Sequence, residues 1–181
     1  MLALLRAHAA GPLEPDEAAM TAEAVAFVTA QPDALHRGCA AGHLTGSAWI
    51  VDPARMRVVL VHHRQLGCWL QPGGHADGDP DLAAVAAREE TGLTRLRALA
   101  VAPFDCDRHW IPERGPVRRH RHFDLRFFFE ADPAEPLVVS DESHAVAWVL
   151  LGDVAGLNPS ESLARMVRKT VRGNRRSGGD A

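Results

Sequence analysis

At 181 residues with 46% apolar content, the chain is long enough for one domain with a modest extension and a proper hydrophobic core. A formal net charge of −3 argues against nucleic acid and against a membrane surface as partners, and no stretch approaches the length of a membrane span. Three cysteines, Cys39, Cys68 and Cys106, are odd in number and form no close-spaced pair. They argue against a disulfide framework or a thiolate zinc site and suit a reducing compartment. The opening Met-Leu-Ala-Leu-Leu-Arg has neither the basic leader nor the long apolar run of a signal peptide, so a cytoplasmic location is expected.

Residues 1–40 read as a helical extension. Pro15-Asp16-Glu17 is an acidic helix start with proline in the first turn, and Met20, Ala24, Phe27 and Val28 follow at helical spacing until Gln31-Pro32-Asp33 breaks the pattern. Strands are expected at 45–51 and 58–62, joined by the turn Asp52-Pro53-Ala54-Arg55, with a short strand at 67–70 leading into a glycine-rich loop. Beyond a helix at 81–91, residues 96–104 and 121–130 read as strands separated by a polar, proline-containing segment, 105–119. Asp132-Pro133-Ala134-Glu135-Pro136 is a loop, 145–150 another strand, and a helix from Ser160 to Gly173 carries Leu163, Met166, Val167 and Val171 on one face. A domain over 41–173 and a disordered tail over 174–181 complete the expected organisation.

The stretch from Pro72 to Leu93, Pro-Gly-Gly-His-Ala-Asp-Gly-Asp-Pro-Asp-Leu-Ala-Ala-Val-Ala-Ala-Arg-Glu-Glu-Thr-Gly-Leu, resembles the signature of the Nudix hydrolases, G-x5-E-x7-R-E-U-x-E-E-x-G-U with U a bulky apolar residue. Gly73 and Gly74 open the loop. Counted forward from Gly74, Arg88 and Glu89 match the Arg-Glu pair; counted back from Gly92, Glu89 and Glu90 match the Glu-Glu pair. Both hold only if three residues are missing from the helix, which amounts to roughly 300° of turn. The resemblance covers about 41–172 and implies a Nudix α/β/α sandwich with a mixed β-sheet, in which Glu89 and Glu90 would be catalytic. Helical geometry complicates that role. Adjacent glutamates diverge by roughly 100°, Glu89 meets only Val85 and Ala86 one turn back, and Pro80 stands where the family has a further glutamate, with Asp79 and Asp81 beside it. Gly92 is expected to close the helix in a left-handed conformation.

Ten histidines against no tyrosine mark a second candidate site. In His120-Arg121-His122-Phe123-Asp124, strand alternation puts His120, His122 and Asp124 on one face, where two imidazoles can ligate one ion and a carboxylate can act as ligand, support or water-orienting group. A solvated polar strand face is the plain alternative. His75 follows the glycine pair and His43 precedes the first strand, and this layout resembles that of the isopentenyl diphosphate isomerases, which share the Nudix fold. By that resemblance His43 and His75 match two metal-ligating histidines, and His120 and His122 occupy the place of two glutamates. The isomerase cysteine position is Gly73 here, which argues against isomerisation by that chemistry. The four rings are expected to converge on one point, the glycine pair letting the chain turn sharply enough to aim His75 over the sheet. Imidazoles favour Zn, Mn or another borderline ion, whereas Mg would suit a glutamate site.

Arg114, Arg118 and Arg119 form an arginine-rich loop whose guanidinium forks suit a phosphorylated ligand, with Trp110 as a stacking wall; a solvated loop is the alternative. The favoured reading is a metal-dependent hydrolase of a small phosphorylated or diphosphate-linked metabolite that uses metal-activated water. A histidine-ligated transition metal with chemistry other than pyrophosphate cleavage, and a non-catalytic ligand-binding domain, remain alternatives. Homodimerisation stays open.

Overall fold

The computed structural model describes residues 1–88, 91–115 and 117–177. In chain order the elements are α1 (Leu2–Ala9), α2 (Pro15–Ala30), β1 (Gly42–Val51), β2 (Arg57–His63), β3 (Cys68–Leu70), β4 (Gly73–His75), α3 (Leu82–Arg88), β5 (Arg97–Ala98), β6 (Asp105–Ile111), β7 (His120–Glu130), β8 (Ser143–Leu150), α4 (Val154–Leu157) after one 3-10 turn, and α5 (Glu161–Ser177). They group into two compact units. The first takes Met1–Ala48, Gly73–Ala87 and Ala100–Phe128; the second takes the described residues of Trp49–Pro72, Arg88–Leu99 and Phe129–Ala181.

In the first unit β6 and β7 form an antiparallel pair with Asp107 opposite Asp124 and His109 opposite His122, while β4 pairs antiparallel with β1, His75 opposite Thr45 and Gly73 opposite Ser47. β1 and β7 are sheet neighbours, and their contacts advance in the same direction, Gly42 against Arg121 and Ser47 against Asp124. They therefore run parallel, and the sheet is mixed. The glycine pair is a strand rather than a sharp turn. At Gly73 a Cβ would stand 2.4 Å from Ser47 Oγ and 2.7 Å from the Gly46 carbonyl, so only glycine lets β4 lie this close to β1.

α2 covers the face of the β6–β7 pair opposite to the histidines. Phe27 stacks on Phe123 with ring centroids 4.5 Å apart, and Glu23 reaches Arg108 at 3.1 Å and Arg121 at 3.7 Å. α1 is tied to α2 by His8, whose Nε2 lies 2.9 Å from Glu17 Oε1 with both side chains buried, and whose Nδ1 bonds the Pro103 carbonyl at 2.8 Å. Glu17, read from the sequence as part of an acidic helix start, is thus an internal partner.

In the second unit β2 is flanked by β3 and β8, both antiparallel, and the end of β1 joins it through Val51 opposite Val58. Trp49, fully buried, donates from Nε1 to Thr170 on α5 at 2.9 Å. Among the described residues no helix is long and apolar enough to cross a membrane.

Two expectations need correction. The strand expected over 96–104 is reduced to Arg97–Ala98, with Val101 88% exposed and Pro103 unable to donate to a ladder. The segment over 105–119 opens instead with a full strand, β6, missed because its polar residues alternate. The helix expected at 81–91 is described from Leu82 to Arg88, with Asp81 as its cap through a 3.0 Å bond from Ala84 N–H; Glu89 and Glu90 lie outside the described residues. Gly92 adopts φ 70°, the left-handed conformation expected after the helix.

Because Phe123 is fully buried against α2 and lies one residue from His122, truncation there measures how firmly the helix clamps the site-bearing strand. Phe123→Ala is expected to cost about 3–5 kcal/mol in urea unfolding. A loss below 1 kcal/mol would mean that α2 is not part of the folded core.

Candidate metal centre

One face of the strands β1, β4, β6 and β7 is almost wholly polar. Period-two alternation sends His43, Thr45 and Ser47 of β1 to it, together with His75 of β4, His120, His122, Asp124 and Arg126 of β7, and Asp105, Asp107 and His109 of β6. At its base, the buried Arg126 guanidinium divides among three carboxylates: Nε donates to Asp124 at 2.9 Å, one terminal nitrogen to Asp105 at 3.1 Å and the other to Asp107 at 3.0 Å. Asp124 also accepts from Thr45 at 3.0 Å and from Ser47 at 2.8 and 2.9 Å. Burial pushes the Asp124 carboxyl up, but Arg126, His109 and the Ser47 bond outweigh it and hold the group below the usual carboxylate range. The same three aspartates hold Arg126 protonated against its own burial. Asp124 is 2% exposed, and its bonds to Thr45 and Ser47 join β1 to β7.

Above this base the structure brings together all four histidines singled out in the sequence. The ring centroid of His43 lies 5.1 Å from that of His75, 5.0 Å from His120 and 4.5 Å from His122; His75 lies 5.1 Å from His122. Nε2 atoms of His120 and His122 are 3.2 Å apart. One nitrogen from each of His43, His120 and His122 falls within 4.8 Å of the other two. For comparison, two nitrogens bound to one tetrahedral zinc at about 2.0–2.1 Å stand about 3.3 Å apart.

Local bonding and burial leave these rings with nitrogens that could serve as ligands. His120 Nδ1 lies 2.8 Å from the Arg118 carbonyl, which can only accept, so Nδ1 carries the proton and Nε2 keeps its lone pair toward the other rings. His43 is 2% exposed and neither of its ring nitrogens has a hydrogen-bond partner among the described residues. An unsatisfied buried polar group of this kind costs about 1–3 kcal/mol. A cation shared with the neighbouring rings would satisfy it, and the donor set fits a borderline transition ion. His109, also on this face, has its ring 5.4 Å from His122 and Nδ1 4.0 Å from Asp107 Oδ2.

The arginine loop is placed differently. By the same alternation Trp110 and Arg121 project to the opposite face, where Arg119 and Arg121 lie over the Trp110 ring at 4.3 and 5.6 Å. Arg119 and Trp110 are thus engaged with each other away from the histidine rings. Arg114 and Arg118 are exposed on the connecting segment, and the Arg118 carbonyl reaches the site through His120.

A NUDIX domain model matches residues 43–169. The chain belongs to the NUDIX domain family. Its fold is that of solved NUDIX relatives. A Caenorhabditis elegans Ap4A hydrolase in a binary complex superposes with a TM-score of 0.58 at 16% identity, over 73% of this chain and 97% of that one. The Escherichia coli dihydroneopterin triphosphate pyrophosphohydrolase gives 0.56 at 16% identity, over 72% and 95%. The NUDIX hydrolase RenU of Mycobacterium smegmatis gives 0.54 at 20%, over 77% and 90%. No curated protein matches the chain in sequence. The mixed sheet with helices expected from the glycine-loop motif is therefore the NUDIX α/β fold.

Burial, then repulsion from His75 and His120, lowers the His43 ring to about 4, and burial with repulsion from His43, His109, His75 and His120 lowers His122 to about 2. Both values lie below the free-imidazole 6.5 that the unfolded chain has. Protons therefore bind the unfolded chain first, and the stability these rings contribute is complete above pH 6.5 and lost as the pH falls from there toward 4 and below. The urea midpoint of the metal-free protein is expected to drop between pH 7.5 and pH 5, with a shallower drop in His43→Gln. Equal midpoints at the two pH values would show that the rings are not buried in neutral form.

Proposed function

We propose that this NUDIX protein is a metal-dependent hydrolase of a small phosphorylated or diphosphate-linked metabolite whose resident ion sits on His43, His75, His120 and His122 rather than on a glutamate helix. The observation that carries this reading is the buried His43 ring with two unpartnered nitrogens facing three other imidazoles. A zinc- or manganese-type ion fits that donor set, and when bound it supplies Lewis-acid polarisation of a phosphoryl oxygen. The Arg118 carbonyl fixes the tautomer of His120. Arg126 and its three aspartates hold the strands that carry the rings in register. His109, with its side chain 45% exposed, is a ring on this face that is open to solvent. Glu89 and Glu90 follow α3 in sequence and act as auxiliary carboxylates in this scheme. The substrate class is supported by the names of two structural relatives, an Ap4A hydrolase and a dihydroneopterin triphosphate pyrophosphohydrolase. A soluble, cytoplasmic protein that acts as a monomer or homodimer fits the same reading.

The second reading keeps the histidine-bound metal but changes the reaction. It is favoured by the position of Trp110 and Arg119 on the face away from the rings.

Metal analysis of protein purified without a histidine tag decides the matter. One equivalent of a transition ion is expected, with affinity falling by about tenfold or more in His43→Ala and His122→Ala. Hydrolysis of a diphosphate-linked substrate is expected to fall less in Glu89→Gln and Glu90→Gln than in His75→Ala or His122→Ala. The reverse ranking would restore a glutamate-held magnesium mechanism, and protein that binds no metal under any condition would be a non-catalytic ligand-binding domain.

A further inference from the structure

Arg37 lies on the segment that precedes β1, and Asp77 lies two residues after His75. The two segments pack together: Gly78 N–H donates to the Leu35 carbonyl at 3.0 Å, and a Cβ at Gly78 would stand 2.6 Å from the His36 ring. Arg37 Nε donates to Asp77 Oδ1 at 2.6 Å, and a terminal nitrogen of the same fork donates to Oδ2. Both side chains remain open to solvent, 61% exposed for Arg37 and 49% for Asp77. The pair is set beside the histidine cluster from both sides: Asp77 follows His75 by two residues, and Leu44 N–H, next to His43, donates to the Ala34 carbonyl at 2.7 Å.

We propose that Arg37 is the phosphate-recognition residue of this site, and that Asp77 is an internal carboxylate which a terminal phosphate of the substrate displaces from the guanidinium. This rests on the reading of the histidine cluster as the reactive centre. A guanidinium fork presents the same two parallel N–H bonds to a carboxylate and to a phosphate, so Asp77 occupies the position a phosphoryl group would take. The exchange favours the phosphate. Asp77 brings one negative charge, whereas a terminal phosphate brings close to two at neutral pH. An exposed ion pair contributes little stability and is screened by salt, so opening it costs the fold little. Arg119 and Arg121, stacked on Trp110 on the other side of the hairpin, do not offer this geometry to the rings. The implied substrate carries its phosphate at a free end, and that group docks between the 35–37 and 76–78 segments beside His75.

Calorimetric titration of inorganic phosphate into the metal-loaded full chain tests this, with Arg37→Ala, Arg37→Lys and Asp77→Ala run beside the unmodified protein. Phosphate affinity is expected to fall by about tenfold in Arg37→Ala, less in Arg37→Lys, and to rise by about threefold or more in Asp77→Ala, where the competitor is gone. Unchanged affinity in Arg37→Ala, weakened affinity in Asp77→Ala, or no phosphate binding by any of the four proteins overturns the proposal. Metal affinity measured on the same proteins without phosphate separates the two readings. Normal metal binding with the wrong phosphate pattern sinks the role of Arg37 alone. Absence of metal binding sinks the histidine centre, while the phosphate ranking of the protein as purified still reports on the arginine.

Discussion

The buried Arg126 guanidinium and its three aspartates are the constraint on which this site depends. A charged group removed from water is tolerated only when it is paired and fully hydrogen-bonded, and removing one partner of such a cluster typically costs about 3–5 kcal/mol. Here each guanidinium nitrogen reaches a different carboxylate, two on β6 and one on β7, and Asp124 extends the chain of bonds to Thr45 and Ser47 on β1. The three strands are thereby held to one register. Because a strand advances two residues for each return to the same face, the positions above Asp124 and Thr45 are His122, His120 and His43. The convergence of the rings follows from the bonds beneath them.

Hydrophobic alternation and turn chemistry made most of the fold legible in the chain. The apolar strands 45–51, 58–62 and 121–130, the helix after Ser160 and the glycine-loop motif all appear where their patterns place them, within a few residues. β6 was not legible for a specific reason. Its inward face carries Asp105, Asp107 and His109, whose partner is an arginine on another strand. A strand whose buried side is charged has the composition of a loop unless that arginine is already known. The buried role of His8 was invisible likewise, since its partners, Glu17 and the Pro103 carbonyl, come from a neighbouring helix and a distant segment.

The four histidines were legible as a group because strand alternation fixes His120 and His122 and the motif fixes His75. The reason first given for His75 was incomplete: Gly73 allows close strand approach to Ser47 and does not make a sharp turn. The same alternation already puts Arg121 on the face away from His120 and His122, and it would have placed Trp110 there too, had 105–111 been recognised as a strand. Arg37 and Asp77 carried no local signal, because their pairing spans 40 residues and depends on two loops meeting.

The pairing of Ile111 with His120 closes the β6–β7 ladder at the first histidine of the candidate centre on that strand. Beyond it, His120 donates its hydrogen bond to the backbone carbonyl of Arg118, so that bond does not depend on which side chain stands at 118. Residue 118 can therefore change identity without removing the bond that orients the imidazole. In the laboratory the exposed stretch 112–115 is accordingly a place to try grafting new recognition elements beside the histidine cluster.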